Sequence, residues 1–226
     1  MLMEPTEPMA LIVDDQGLVR AGMRSLLEIA TSRYTVHEAG SCKEAIAFLS
    51  TAQYELVFLD LHLGGLESGL DVLRFIRDRE LACRAIMLSG DDSRDTVLNC
   101  LALGASGYIT KATGDALVFE KAIKSILEGA VYLPSWMLQI KESVPTPETL
   151  TNRSQDFPGL TERQIEVLYY LCQGLSNKAI ANRMKITEGT VRKSYVSDLL
   201  RYFSVTRRTE LMIEVSRRKL RISPPV

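Results

Sequence analysis

The sequence predicts an α/β domain built on a parallel sheet, followed by a smaller all-α domain. Three observations carry this. Five short apolar runs alternate with stretches of helical periodicity from about Met9 to Gly129. The alternation then stops, and Pro134, Pro145, Pro147 and Pro158 fall among Ser, Thr, Asn and Gln. Finally, the net charge of −1 hides an asymmetry: residues 1–130 carry 12 Lys and Arg against 19 Asp and Glu, residues 131–226 carry 15 against 9.

Runs rich in Val, Ile and Leu near 10–13, 34–38, 55–59, 85–88 and 107–109 have the length of buried strands. Between them lie helical stretches at about 17–30, 42–52, 69–79, 92–103 and 114–128. Val72, Leu73 and Ile76 illustrate the period in one, and Val97, Leu98, Leu101 and Ala102 in another. Five such units imply a doubly wound sheet with right-handed crossovers. The flavodoxin-like order 2-1-3-4-5 sets strands 1 and 3 side by side at the topological switch point. The expected domain spans 8–130, with an exposed linker over 131–157 and a short helix near Trp136–Lys141.

The final stretch, 158–222, reads as four helices. Thr161-Glu162-Arg163-Gln164 is a capping-box pattern ahead of Ile165, Val167, Leu168 and Leu171, and Gly174 can close that helix. Ser176 can cap Asn177–Met184, Thr187 a third helix to about Phe203, and Thr206 a fourth to about Leu220. The three-residue connection Lys185-Ile186-Thr187 suits a helix-turn-helix.

Each of four predicted strands ends on a polar residue: Asp14-Asp15, Asp60, Ser89 and Lys111. Parallel strands put these ends on one sheet edge, where open α/β sheets bind ligands. Three carboxylates, a hydroxyl and an ammonium suit phosphoryl transfer to a carboxylate, which needs a nucleophile, a divalent cation and fixed positive donors. Mg²⁺ prefers a few carboxylates plus water. Asp15 and Asp60 are the expected direct ligands, with Asp14 holding a water. Lys111 and Ser89 would contact the phosphoryl oxygens. An Asp pair after a strand is often only a cap, and a Lys ending a strand only a surface Lys; their joint occurrence carries the functional reading.

Ile12-Val13-Asp14-Asp15, Leu59-Asp60, Leu88-Ser89-Gly90, Gly104-Ala105-Ser106-Gly107-Tyr108-Ile109 and Lys111 resemble the receiver domain of two-component response regulators. The resemblance covers about Ala10 to Gly129. It implies phosphate transfer from a sensor histidine kinase to Asp60. It makes Ser89 the switch hydroxyl, Tyr108 the switch aromatic, and the His62 backbone carbonyl a further metal ligand. Two departures stand out. Ala112 replaces the family's usual Pro, which predicts a trans path after Lys111, since a cis non-proline bond costs about 2.5–4 kcal/mol. The loop Leu61–Gly69 lacks the family's Pro and is one residue longer.

Residues 158–226 carry 13 Lys and Arg against 6 Asp and Glu, a charge suited to a phosphate backbone. Leu160-Thr161, Arg163, Glu166-Val167-Leu168, Gly174, Ser176-Asn177-Lys178, Ile180-Ala181, Ile186, Glu188, Thr190-Val191, Val205 and Arg208-Thr209-Glu210 resemble the LuxR-type helix-turn-helix. Both resemblances together point to the NarL/FixJ type of regulator. They imply that the helix from Thr187 enters the major groove of double-stranded DNA. Arg192 and Lys193, then Val196 or Ser197, are the expected groove contacts; Lys178, Thr187 and Thr190 lie at the helix N-termini that hold phosphates. Between Val191 and Phe203 the chain has one residue more than the family pattern. A π-bulge near Ser194 could absorb it. The expectation is instead a regular helix burying Val191, Tyr195, Leu199 and Phe203, a stripe that already makes a core face.

Cys42, Cys83, Cys100 and Cys172 lack metal-ligand spacing and read as reduced thiols. There is no signal-like N-terminus and no apolar run near the ~20 residues of a membrane span. The expectation is a cytoplasmic, Mg²⁺-dependent, phosphorylation-controlled transcription factor, a homodimer when phosphorylated or on DNA, without membrane contact. It is not an enzyme beyond its own phosphorylation and dephosphorylation. The alternative, favoured by the altered loops, is a phosphorylation-independent DNA-binding or interaction module whose receiver serves as a dimerisation scaffold.

Overall fold

The computed structural model describes residues 7–64, 67–91, 93–111, 116–138, 157–218, 220, 222, 224 and 225. Contacts divide the chain into two compact units, one ending at Ile126 and one beginning at Leu127.

The first unit holds β1 (Met9–Val13), α1 (Gly17–Ala30), β2 (Thr35–Ala39), α2 (Cys42–Thr51), β3 (Leu56–Asp60), α3 (Gly69–Asp78), β4 (Arg84–Ser89), α4 (Arg94–Ala102), β5 (Gly107–Thr110) and α5 (Ala116–Leu127). The sheet order is β2-β1-β3-β4-β5, all parallel. Residues Leu56–Leu59 and Ala10–Val13 are fully buried, as strands covered on both faces require. Register pairs Val13 with Leu59, so Asp14 and Asp60 fall beside each other at the carboxyl edge. Ser41 and Ser93 cap α2 and α4, each accepting a backbone N–H. At the start of α3 the Ser68 N–H donates to Asp71 Oδ2.

Gly69 sets the approach of α3 to β3. A Cβ there would lie 2.1 Å from the Asp60 carbonyl oxygen, so only glycine fits without displacement.

The second unit holds α6 (Ser135–Leu138), α7 (Glu162–Cys172), α8 (Asn177–Met184), α9 and α10 (Arg208–Arg217). Helix α9 is continuous through Glu188–Thr190, a π-helical stretch Val191–Val196, and Ser197–Tyr202. The core gathers Val167, Leu168, Leu171, Ile180, Val191, Leu199, Phe203 and Leu211. The predicted capping box is present: Gln164 N–H donates to Thr161 Oγ1 and Thr161 N–H to Gln164 Oε1. Lys185 closes α8 in the left-handed region, φ 55°. Thr206 stands two residues ahead of α10, and Arg207 takes the cap position instead; Glu210 reaches back to accept from the Thr206 and Arg207 N–H groups.

The stretch expected as an exposed linker begins buried. Ala130, Val131 and Leu133 are covered, and the Val131 N–H donates to the Gly174 carbonyl at 3.2 Å. The described part of the short helix expected near Trp136–Lys141 is α6; residues 139–156 lie outside the described residues.

The regular course expected for α9 is corrected. On a straight helix Leu199 would stand about 80° from Val191 and Phe203 about 120°, at ~100° per residue. Holding one residue in a π-turn reduces each offset to about 20°. That brings Val191, Leu199 and Phe203 under one face, all buried, while Tyr195 is only partly covered. Burial of three large apolar groups outweighs the poorer π hydrogen bonds.

The four cysteines are free. Burial pushes Cys83 and Cys100 up to about 11 and Cys172 to about 12, so these thiols stay protonated at neutral pH. Among the described residues, no helix is long and apolar enough to cross a membrane.

Candidate functional sites

At the carboxyl edge of the first unit, oxygens of Asp14, Asp15 and Asp60 lie within 4.8 Å of one another. Asp14 is fully buried, Asp60 is 4% exposed and Asp15 is exposed. Lys111, just past β5, places Nζ 2.8 Å from both Asp14 Oδ2 and Asp60 Oδ2. One ammonium faces three carboxylates. Burial therefore raises the Asp60 carboxyl above the usual carboxylate range, against the hydrogen bond from Lys111, and the Asp14 charge adds to the rise. Burial alone would lower the Lys111 ammonium; its hydrogen bonds to Asp14 and Asp60 win, and it is raised. The surplus negative charge and hard oxygen donors fit a small divalent cation. Gly64, at φ 72°, crosses Asp15 so closely that a Cβ would meet its Oδ2 at 3.1 Å.

His62 is exposed, and its backbone N–H is bonded to Asp60. Its ring is not part of the carboxylate cluster. His62 bridges Ser68 in antiparallel fashion, which closes the loop after β3. The path after Lys111, through Ala112, lies outside the described residues.

Ser89, the last residue of β4, is fully buried, and its Oγ accepts the Asp91 N–H at 3.0 Å. Tyr108 is also fully buried rather than a half-covered edge aromatic, and its hydroxyl donates to the Asp91 carbonyl. The Asp91 carboxylate accepts from the Ser93 N–H and the Thr96 hydroxyl at the start of α4. These hydrogen bonds hold its carboxyl below the usual range. One residue thus joins both hydroxyls to α4. Sequence reasoning missed it; the available signal was an Asp two residues ahead of the helix-capping Ser93.

In the second unit Lys178, Thr187, Thr190, Arg192, Lys193 and Ser197 are exposed. Thr187 Oγ1 accepts the Thr190 N–H at 3.1 Å and contacts its hydroxyl at 2.8 Å. Val196, the other groove candidate, is partly buried and packs against the core at the end of the π-turn. Ser197 stays outside, but its hydroxyl donates to the Arg192 carbonyl at 3.2 Å. Arg208 is a partly buried cation that donates to the Leu171 carbonyl at 3.1 Å and to the Leu175 carbonyl, tying α10 to the end of α7. Burial pulls it down to about 10, still charged at neutral pH.

Residues 10–123 match the response regulator receiver domain, and residues 158–215 match the bacterial regulatory proteins of the luxR family. The nitrate/nitrite response regulator NarP of Escherichia coli is 33% identical over 210 residues, 93% of this chain and 95% of that protein. The chain is a two-component response regulator of the NarL type. DevR/DosR of Mycobacterium tuberculosis, a DNA-binding transcriptional activator, is 31% identical over 95% of this chain and 96% of its own length. The RcsB response regulator of Salmonella typhimurium shares the fold with TM-score 0.52 at 19% identity, over 94% of this chain and 100% of that one. As a NarL-type regulator the chain joins a receiver to a DNA-binding domain, an architecture that implies a sensor kinase and DNA as partners, and it is a transcription regulator rather than an enzyme in the ordinary sense.

Proposed function

We propose that Asp60 is the phosphoacceptor, taking a phosphoryl group from a sensor histidine kinase. The observation that carries this is the Asp60 carboxylate held 2.8 Å from Lys111 beside Asp14 and Asp15. Asp14, Asp15, Asp60 and the His62 carbonyl would hold Mg²⁺. The cation supplies charge neutralisation for the incoming phosphoryl oxygens. The Asp60 oxygen attacks phosphorus, the bond to the donor breaks, and an acyl phosphate forms on Asp60. Lys111 then pairs with a phosphoryl oxygen in place of a carboxylate, and the Ser89 hydroxyl turns to donate to another. Release of Ser89 from the Asp91 N–H shifts the loop that Tyr108 holds, so Tyr108 acts as the switch aromatic. A water attacking the acyl phosphate returns Asp60, which makes the receiver's own phosphorylation and dephosphorylation its sole chemistry.

On the DNA side, Arg192 and Lys193 are the groove-facing candidates, with Ser197 one turn on; Lys178, Thr187 and Thr190 hold phosphates. A homodimer on phosphorylation or on DNA, and a cytoplasmic location beside its DNA, complete the reading. The receiver is taken as 8–130 and the DNA-binding domain as 158–222. The cluster around Asp60 favours phosphorylation control over a phosphorylation-independent scaffold.

The test is intact mass after incubation with acetyl phosphate. One phosphoryl adduct is expected with Mg²⁺, none with EDTA, and none in Asp60→Asn. An adduct that survives Asp60→Asn would remove Asp60 from its role.

A further inference from the structure

The turn that presents Asp14 and Asp15 is held from behind by a side chain outside the cluster. Arg20, in the second turn of α1, directs Nη1 to the Asp14 carbonyl oxygen at 2.8 Å and Nε to Glu38 Oε2 at 3.2 Å. Glu38 lies on β2 and takes a second arginine on its other oxygen, Arg24 Nε at 2.8 Å. Arg24 also donates to the Val36 carbonyl at 3.2 Å, but has no hydrogen bond to Asp14 among the described residues. Hydrogen bonds from Arg24 and Arg20 hold the Glu38 carboxyl below the usual range, so it stays ionised beside them.

We propose that Arg20 is a positioning residue for cation binding, fixing the Asp14 peptide against Glu38 and so aiming the Asp14 and Asp15 carboxylates at Asp60. The inference rests on the reading that these three carboxylates hold a divalent cation. The physical case has three parts. A carbonyl held by a guanidinium is bonded about twice as strongly as by a neutral donor. The Asp14 N–H is already fixed to the Ala39 carbonyl at 3.1 Å, and the Gln16 N–H to Asp14 Oδ1 at 2.8 Å; the Arg20 contact adds a hold on the next peptide, between Asp14 and Asp15. Groups behind a metal ligand commonly set the affinity of the site. Arg20 and Arg24 share the single Glu38 carboxylate, so one positive charge remains behind the site, and Arg20→Lys, which keeps that charge, separates positioning from charge.

The test uses the full-length chain and Mn²⁺ as the probe, following free Mn²⁺ by electron paramagnetic resonance without any phosphodonor. Wild type should bind saturably. Arg20→Ala should bind about tenfold more weakly, the low end of the range for such partners. Arg20→Lys keeps the charge but cannot reach both partners with a fork, so it too should be weakened; it serves alone if Arg20→Ala does not fold. Arg24→Ala, which breaks a bond to the same Glu38 without touching Asp14, should stay within about twofold of wild type, below that range. Wild-type affinity in Arg20→Lys, or equal weakening in Arg24→Ala, overturns the inference and leaves the cation site standing. Absence of saturable binding by wild type overturns both.

Discussion

Gly69→Ala should dislodge Asp60 from its partners. The new Cβ would sit 2.1 Å from the Asp60 carbonyl oxygen, 3.0 Å from its carbonyl carbon and 3.4 Å from Met87 Cε. An ordinary carbon–oxygen contact is about 3.3 Å, so backbone must move by about 1 Å. The obstacle is main chain of the central strand β3, which cannot swing aside as a flexible side chain would. Overpacking of this kind costs about 1–3 kcal/mol. A displacement of about 1 Å at a reacting group costs on the order of 10²-fold in rate. The expected result is a lower melting temperature together with a roughly hundredfold slower phosphorylation from acetyl phosphate, followed by intact mass. Gly22→Ala is the control: it lies inside α1 with nothing within 4 Å of its Cβ position, and should stabilise by about 0.5–1 kcal/mol with an unchanged rate. A Gly69→Ala variant that melts and phosphorylates like wild type would refute the reasoning.

Asp60→Asn should stabilise the chain at neutral pH in EDTA. The folded pKa of Asp60 is raised, so the folded state binds more protons than the unfolded, and stability falls as pH rises between the two values. Melting curves of wild type and Asp60→Asn should therefore converge towards acidic pH, and Mg²⁺ should narrow the gap at neutral pH; a gap independent of pH would exclude this origin. Deleting Ser194 should be tolerated, because it removes the surplus residue and keeps Val191, Leu199 and Phe203 on one face. Deleting Arg201 should unfold the second unit by turning Phe203 about 100° away; thermal melts that rank the two deletions the other way would contradict the π-turn argument. Arg192→Ala should weaken DNA binding and relax one position by about 1–3 kcal/mol, whereas Lys178→Ala should weaken all sequences alike. Selection from random DNA reads both effects, and an unaltered site and affinity in Arg192→Ala would remove it from the reading surface.

The sheet order and the acidic edge were legible because strand ends are marked in the chain itself. Leu11-Ile12-Val13 stops at Asp14, and Leu56–Leu59 stops at Asp60; parallel pairing then leaves little choice of where these ends meet. Asp91 was not legible, since its bonds to Ser89 and Tyr108 use its backbone atoms, which any residue carries. Arg20 and Glu38 were equally hidden: an arginine on an amphipathic helix reads as a solvated charge until β2 is laid beside it. The buried Val131 was obscured by the prolines that follow it.

Local pattern and composition by themselves determined the two folds, the cluster Asp14–Asp15–Asp60–Lys111, and the basic character of the second unit, because apolar periodicity and charge are written residue by residue. The resemblance to the LuxR-type helix-turn-helix added that α9 has one residue more than the family pattern. Only the tertiary structure decided what became of it. A helix in isolation would stay regular, since π hydrogen bonds are the poorer ones. Packing against α7 and α8 rewards whichever winding buries Val191, Leu199 and Phe203 together, and that winding contains the π-turn. The same rotation drew Val196 inward and left Arg192 and Lys193 outside.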